Sequence, residues 1–410
     1  MPGTLTVRRA RLVLRDRVVV GDLAVEDGVI ARIAPRIEGV GEQIDADGRL
    51  LLPGAVDLDW RFDQPEELGP RTRAALRGGV TTVVAVGQAE DREALAEEHD
   101  LAGGHSVTNF GVWQRASLER GRVPLAERAR GWLLGGALLH DERADEWLSG
   151  AERAVVVDPV DPERLQRRAA VYADHADVLD HARICDVDSA VAGVSRALDL
   201  ARRHGARLHL LHVGSAEEAE LLAGAQVPRV TASVRMHSLL LDEQDTAELR
   251  ERAVTEPPLR RSRHREALLE ALREGRIDVV APGDRHVPYK HKNQPWPATP
   301  VGGPAAEWLL PLLSTCAPAT PWPVLARAFA EEPARVAGLN RKGRLEVGWD
   351  ADLVLFDDRE GAEIETIHSP SGWSVYAGRP TGGRVDLVLL GGRVALRGDE
   401  VVGGVWGDLV

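Results

Sequence analysis

The chain has 410 residues, of which 44% are hydrophobic and 28% charged, and its net charge is −13. That apolar content buries a large core, and at ~150 residues per domain the length suits two or three domains, or one large α/β barrel with an accessory domain. The acidic balance excludes a dedicated nucleic-acid binder, which needs a basic face, and argues against attraction to anionic membranes.

In chain order, residues 4–50 alternate apolar and polar side chains in short runs, with Asp-Gly turns at 27–28 and 47–48, and read as strands. The middle of the chain alternates strands with helices. Strands are predicted at 80–87, 154–158, 169–175, 207–212, 229–234 and 277–281. One amphipathic helix has Ser189 as its cap, a stripe of Val191, Val194, Leu198 and Ala201, and Gly205 as its stop; another runs through Ala267, Leu268, Ala271 and Leu272 to Gly275. Residues 286–303, rich in proline and holding Lys290 and Lys292, read as a long loop, with Lys290-His291-Lys292 a solvated charge patch. The C-terminal end is strand-rich again, with a tight turn at Gly391-Gly392. Strand–helix repetition favours a parallel barrel over its rival, a doubly wound open sheet, and the two β-rich ends suggest one small β domain built from both termini. No GxGxxG or GxxxxGK[ST] follows a strand, so nothing signals a nucleotide cradle. Two cysteines, Cys185 and Cys316, without a CxxC, no apolar signal core near the start and no run of 18 apolar residues together suggest a cytoplasmic protein.

Several segments in this order carry a resemblance. LLPGAVDLDWRFDQP (51–65), RAALRGGVTTVVAVGQ (73–88), LHLLHVGS (208–215), VRMHSLLL (234–241), EPPLR (256–260), HVP (286–288), VGGPAAEWLLPLL (301–313) and GRLEVGWDADLVLFD (343–357) are similar to the dihydroorotase group of the amidohydrolase superfamily. The resemblance implies an α/β fold: a TIM-like (β/α)8 amidohydrolase barrel over 53–343, and a small β-sandwich domain formed by 1–52 and 344–410. It also implies a metal-bound hydroxide attacking a cyclic amide, with ligands from the C-terminal ends of the barrel strands.

Against that pattern the chain departs at nearly every functional position. The resemblance puts His-x-His on the first strand, two residues apart so that both face the mouth. Here those positions hold Asp59 and Arg61, and the first histidine of the chain is His99. An arginine is permanently charged and offers a cation no lone pair. The carbamylated lysine implied for the fourth strand is absent, since no lysine precedes Lys290. Asp158 ends the matching strand, either as a stand-in carboxylate or as the start of a turn with Pro159. His175 and His212 fit the histidines implied for the fifth and sixth strands. They are candidate ligands, or else a loop cap and a hydrogen-bonded core histidine. His209 and His237 read as structural. Arg285 aligns with the implied aspartate of the eighth strand, and Asp284, one residue earlier, is the base if the protein is active. Asp63 stands where the resemblance implies a carboxylate-binding arginine, and Gln88 and Glu256 where it implies asparagines.

These departures suggest a non-catalytic dihydroorotase homologue of pyrimidine biosynthesis. In it, Arg61 and Arg285 would replace the charge of a metal among Asp59, Asp158 and Asp284. No catalytic residue, metal or cofactor is expected. The implied partner is aspartate carbamoyltransferase, a further copy of the chain, or both; neither nucleic acid nor membrane is expected. Most of the ten tryptophans read as core residues; Trp60, Trp296 and Trp373, in predicted loops or near the mouth, are candidate contacts. The alternative is an active metal-dependent cyclic amidohydrolase with a reduced zinc site drawn from Asp158, His175, His212 and Asp284.

Overall fold

A computed structural model describes residues 4–38, 41–61, 65–174, 177–225, 227–404 and 407–410. Eight strands form one parallel sheet in sequential order: β1 (Ala55–Arg61), β2 (Val80–Val86), β3 (Asn109–Arg115), β4 (Gly131–Leu134), β5 (Ala154–Val157), β6 (Leu208–Leu210), β7 (Val230–Arg235) and β8 (Val279–Ala281). β8 also lies against β1, so the sheet nearly closes into the expected barrel. Four of these strands are buried along their whole length, and the other four at all but one end residue. VTTVVAV of β2 is covered except at its last residue, as a parallel strand flanked by helices on one side and a packed interior on the other requires.

Two strands, β3 and β4, escape the sequence reading, and the described residues of 169–175 form no strand: 169–171 end helix α1 (Pro162–Val171) and 172–174 are a turn. The N-terminus of α1 is capped by the Asp161 side chain on the Arg164 amide, with proline at its first position. The strand count therefore shifts, and Asp158 follows the fifth strand rather than the fourth. Helix α2 (Val187–His204) is capped by Asp186, not Ser189; the Asp186 carboxylate accepts from the Ser189 amide, and the Ser189 hydroxyl bonds the Asp161 carbonyl instead. Gly205 ends it in the left-handed conformation, φ 60°, as expected.

Both ends of the chain supply the second sheet, of nine strands. Leu50–Pro53 is its junction: it runs parallel to Leu5–Val13 and antiparallel to Leu353–Asp357, pairing Leu51 with Leu355. Leu5, Leu12, Leu23, Val25, Ile30, Leu51, Leu353 and Leu389 share one core distinct from that of the barrel. The 27–28 turn has φ of 49° at Asp27 and 82° at Gly28, the left-handed pair that an Asp-Gly hairpin supplies. Among the described residues no helix is long and apolar enough to cross a membrane.

Within the 286–303 segment the Lys290-His291-Lys292 triplet departs from a solvated charge patch. The segment holds a short helix, Tyr289–Lys292, and Lys292 is fully buried. Its ammonium donates to the carbonyls of Val254 (2.7 Å) and Pro300 (2.8 Å) and lies 5.6 Å from the Trp373 ring. Trp373 in turn donates to the Val287 carbonyl at 2.7 Å.

Candidate functional site

β1 carries three charged residues at alternate positions, Asp57, Asp59 and Arg61, so all three face the same way. Asp57 and Asp59 are fully buried. Burial above all, and then the charge of Asp59, pushes Asp57 up to about 8. One of its oxygens accepts from the Asp59 amide at 2.9 Å. Burial would also raise Asp59, but the guanidinium of Arg235, with His212 and Arg61, holds it well below the usual carboxylate range.

Arg235 is the last residue of β7 and is almost wholly buried. Its Nε and Nη2 lie 2.6 and 2.5 Å from Asp59 Oδ2, and its Nη1 bonds the Glu256 carbonyl. Arg61 Nε lies 3.8 Å from Asp59 Oδ1, while its Nη2 lies 3.5 Å from Glu256 Oε2. Arg235 Nη1 stands 3.9 Å from that same Glu256 oxygen. Arg61, Asp59, Arg235 and Glu256 thus form a closed ring of alternating charge with no net charge. The two guanidiniums also hold Glu256 below its ordinary pKa against the opposing effect of burial.

His212, just beyond β6, faces this ring. Its Nδ1 is 3.3 Å from Asp59 Oδ2 and its Nε2 is 3.8 Å from Asp158 Oδ1. Its backbone is left-handed, φ 48°, an uncommon state for a non-glycine residue and one often found at functional positions. Burial raises the pKa of Asp158, opposed by His212. A cavity of about 110 Å³ opens beside this pair, lined by Asp158, His181, Cys185, His212, Glu256 and Arg260 among others.

Asp284 belongs to a second, separate pairing. One oxygen accepts from the amides of Ala305 (2.7 Å) and Ala306 (3.0 Å), and the other from Arg71 Nη2 at 2.8 Å. Arg71 also donates to the Arg61 carbonyl at 2.7 Å and lies 4.5 Å over the buried Trp60 ring. The structure therefore brings Asp59, Arg61, Asp158 and His212 together and holds Asp284 with Arg71. Arg285 is not paired with these carboxylates. It turns to the Val301 carbonyl at 3.2 Å, because the backbone beside it is tied to Gly303. Gln88 is exposed and accepts from Arg115 at 2.7 Å, away from the ring. Asp63 and His175 lie outside the described residues. His209 and His237 bond Thr231 Oγ1 (2.9 Å) and the Pro257 carbonyl (3.2 Å); burial pushes both down to about 3, so both are neutral core histidines.

Arg235 and Arg71, the two guanidiniums that matter most, were not singled out in the sequence. The available signal for Arg235 was its place at the C-terminal end of a predicted strand, where barrel chemistry sits. Arg71 gave none, since its partner lies 213 residues away.

The family model described as "Amidohydrolase family" matches residues 70–395. The chain is 31% identical to a dihydroorotase of Halobacterium salinarum, covering 93% of this chain and 97% of that one. It is 30% identical to an allantoinase of Rubrobacter xylanophilus, over 98% and 96%. A solved dihydropyrimidinase from Brevibacillus agri superposes with a TM-score of 0.89 at 23% identity, covering 99% of this chain and 98% of that one, and so shares its fold. With its barrel, its two-ended β domain and this match, the chain is a dihydroorotase-like member of the amidohydrolase family.

Proposed function

We propose that this protein is a non-catalytic dihydroorotase homologue whose barrel mouth is held by arginine–carboxylate pairs in place of a catalytic metal. The observation that carries this reading is the closed Arg61–Asp59–Arg235–Glu256 ring. A dication at Asp59 would face one guanidinium already seated on that carboxylate, that of Arg235, and a second, that of Arg61, 3.8 Å from its other oxygen. The donor set fits a metal poorly: among the described residues, no three His, Cys, Asp or Glu side chains are placed to hold one. The role proposed for such a barrel is a scaffold, with aspartate carbamoyltransferase or a further copy of the chain as its partner.

The opposing reading, an active cyclic amidohydrolase with a reduced zinc site, rests on His212 Nε2 and Asp158 Oδ1. Both are buried, face each other at 3.8 Å and lack a hydrogen-bond partner. One experiment separates the two. Protein purified without chelator should hold well under one equivalent of zinc and should open neither dihydroorotate nor a neutral cyclic amide when zinc or manganese is added. A full equivalent of zinc with measurable turnover, both lost in Asp158→Asn/His212→Asn, would establish the opposing reading. Affinity capture of the full chain tests the scaffold role: aspartate carbamoyltransferase should be retained, and a chain recovered alone as a monomer removes that role.

A further inference from the structure

The end of the barrel opposite the mouth carries a second group of guanidiniums. Arg130, Arg153 and Arg207 each occupy the position immediately before a strand, β4, β5 and β6. Those strands are parallel neighbours, with Gly131 opposite Ala154 and Val155 opposite Leu208, so their starts place the three arginines side by side. Together with Ala129, Ala154 and residues 336–338 they line a cavity of about 140 Å³ whose wall contains no acidic residue.

The guanidiniums are fixed by backbone carbonyls rather than by carboxylates. Arg153 Nη1 donates to the carbonyls of Glu127 (2.7 Å) and Ala129. Arg207 Nη2 donates to the Arg335 carbonyl at 3.1 Å. Among the described residues the Arg130 guanidinium makes only a long contact to the Arg128 carbonyl, 3.4 Å, and its Nε is buried without a partner. Among the described residues no carboxylate forms an ion pair with any of the three. The electrostatics agree: burial and then Arg153 lower the pKa of Arg130, and burial, Arg335 and Arg229 lower that of Arg207. In a chain with 64 acidic against 51 basic residues, a cavity walled by unneutralised positive charge calls for a ligand.

We propose that this cavity is a binding site for a phosphoryl-sized dianion. Guanidinium forks on adjacent strands match the oxygens of such a group. At ~30 Å³ per water the space takes one tetrahedral oxyanion with a few waters or a small substituent. Two sources share this chemistry, inorganic phosphate and the phosphate of a small monoester, so the test uses inorganic phosphate and ribose 5-phosphate as separate probes.

The full chain is titrated by calorimetry and its thermal midpoint followed, with sodium chloride at matched ionic strength as reference. Either probe should bind saturably and raise the midpoint beyond the chloride reference, because a ligand of the native state stabilises it. The tighter probe identifies the source. Arg130→Gln/Arg207→Gln, shown folded by circular dichroism, should lose that rise and weaken binding by at least ~10-fold. Arg207→Lys, which keeps the charge but not the fork, should retain part of it. Arg153→Gln, at an exposed side chain, should weaken binding too and serves if the double variant does not fold. A midpoint rise no larger than with chloride for both probes overturns the proposal, as does a rise undiminished in the variants.

Discussion

The pairing of Asp59 with Arg235 puts two charges where solvation cannot help either. Such a pair is held by its mutual attraction and its further hydrogen bonds, and removing one partner strands the other. Arg235→Met should therefore cost ~3–5 kcal/mol, because Asp59 stays buried with only His212 and the more distant Arg61 to compensate it. Asp59→Asn should cost a comparable amount by stranding the guanidinium. The double variant Asp59→Asn/Arg235→Met should recover most of the loss, giving a coupling well above that of a surface pair. Urea midpoints of the four proteins measure this, and an additive double variant would show that the two residues do not act as a unit. Half of this pair was legible in the sequence, because Asp59 and Arg61 sit two apart on one strand and a strand of period two puts them on one face. The other half was not. Arg235 is 176 residues away, and only barrel closure, which sets β7 and β1 around one interior, decides which charge meets which. The same reasoning explains Arg285: its alignment beside His286-Val-Pro suggested a place in the mouth, but the 282–303 backbone turns it to Val301.

At the scale of elements, the chain is read best where local chemistry and burial agree. The Asp27-Gly28 turn, the Gly205 stop and the buried β2 run needed no tertiary information. Residues 169–175 misled because their apolar spacing suits a short strand, while the stronger local signal stood upstream: Asp161 followed by Pro162, a helix cap and first position. The 286–303 segment shows a different failure, since a Lys-His-Lys triplet gives no sign that its third residue is buried. Lys292 is the clip that joins this segment to the loop after β7 through the Val254 carbonyl, and the segment to itself through the Pro300 carbonyl. Burial, and then the charge of Arg285, lowers its pKa from 10.5 to about 7. A neutral amine keeps two N–H donors, enough for both carbonyls, so the clip survives loss of the proton. Because the folded pKa is depressed, the unfolded chain binds the extra proton between about 7 and 10.5, and this group's contribution to stability rises with pH across that window. Relative to Lys292→Met, the wild-type protein should therefore gain up to about 1.4 kcal/mol per pH unit from about pH 7 to about pH 9. Urea unfolding of both proteins across that range measures the difference. A constant difference would place the ammonium pKa above that range. Hydrogen exchange of residues 286–303 should also quicken in the variant, because the methionine leaves the Pro300 carbonyl without this donor and the Val254 carbonyl with the Gly302 amide alone.

For the molecule as a whole, the decisive question is how a barrel and a sheet built from both chain ends are held as one body. Asp352, at the point where the chain re-enters the β domain, joins them. Its Oδ2 accepts from Lys342 at 2.6 Å and from Asn109 Nδ2 of β3 at 2.8 Å, and its Oδ1 accepts from the Gly391 amide at 2.8 Å. Its carbonyl accepts from Gly54 at 2.8 Å, immediately before β1. One carboxylate thus ties the barrel wall, the turn at Gly391 and the lysine of the linking segment, while its backbone fixes the entry to the first barrel strand. Lys342 is buried, and the charges of Asp352 and Asp350 raise its pKa against desolvation, so its cation depends on these partners. Asp352→Ala would leave Lys342 with Asp350 alone, at 3.2 Å, and Asn109 Nδ2 with only the longer bond to Thr82 Oγ1, 3.3 Å. The expected loss is ~3–5 kcal/mol, the cost of stranding one member of a buried pair. Asp352→Asn keeps a single side-chain oxygen, enough for Asn109 or for Gly391 but not for both, and should lose less than Asp352→Ala. Because the contact lies between the two bodies, the loss should appear in differential scanning calorimetry as a broadened or divided transition in Asp352→Ala, where the wild-type protein melts in one. A single transition merely moved to lower temperature would mean that the two sheets stay coupled through the apolar core that Leu50, Leu52, Val354 and Val388 share with the barrel, and that the carboxylate adds stability without joining the bodies.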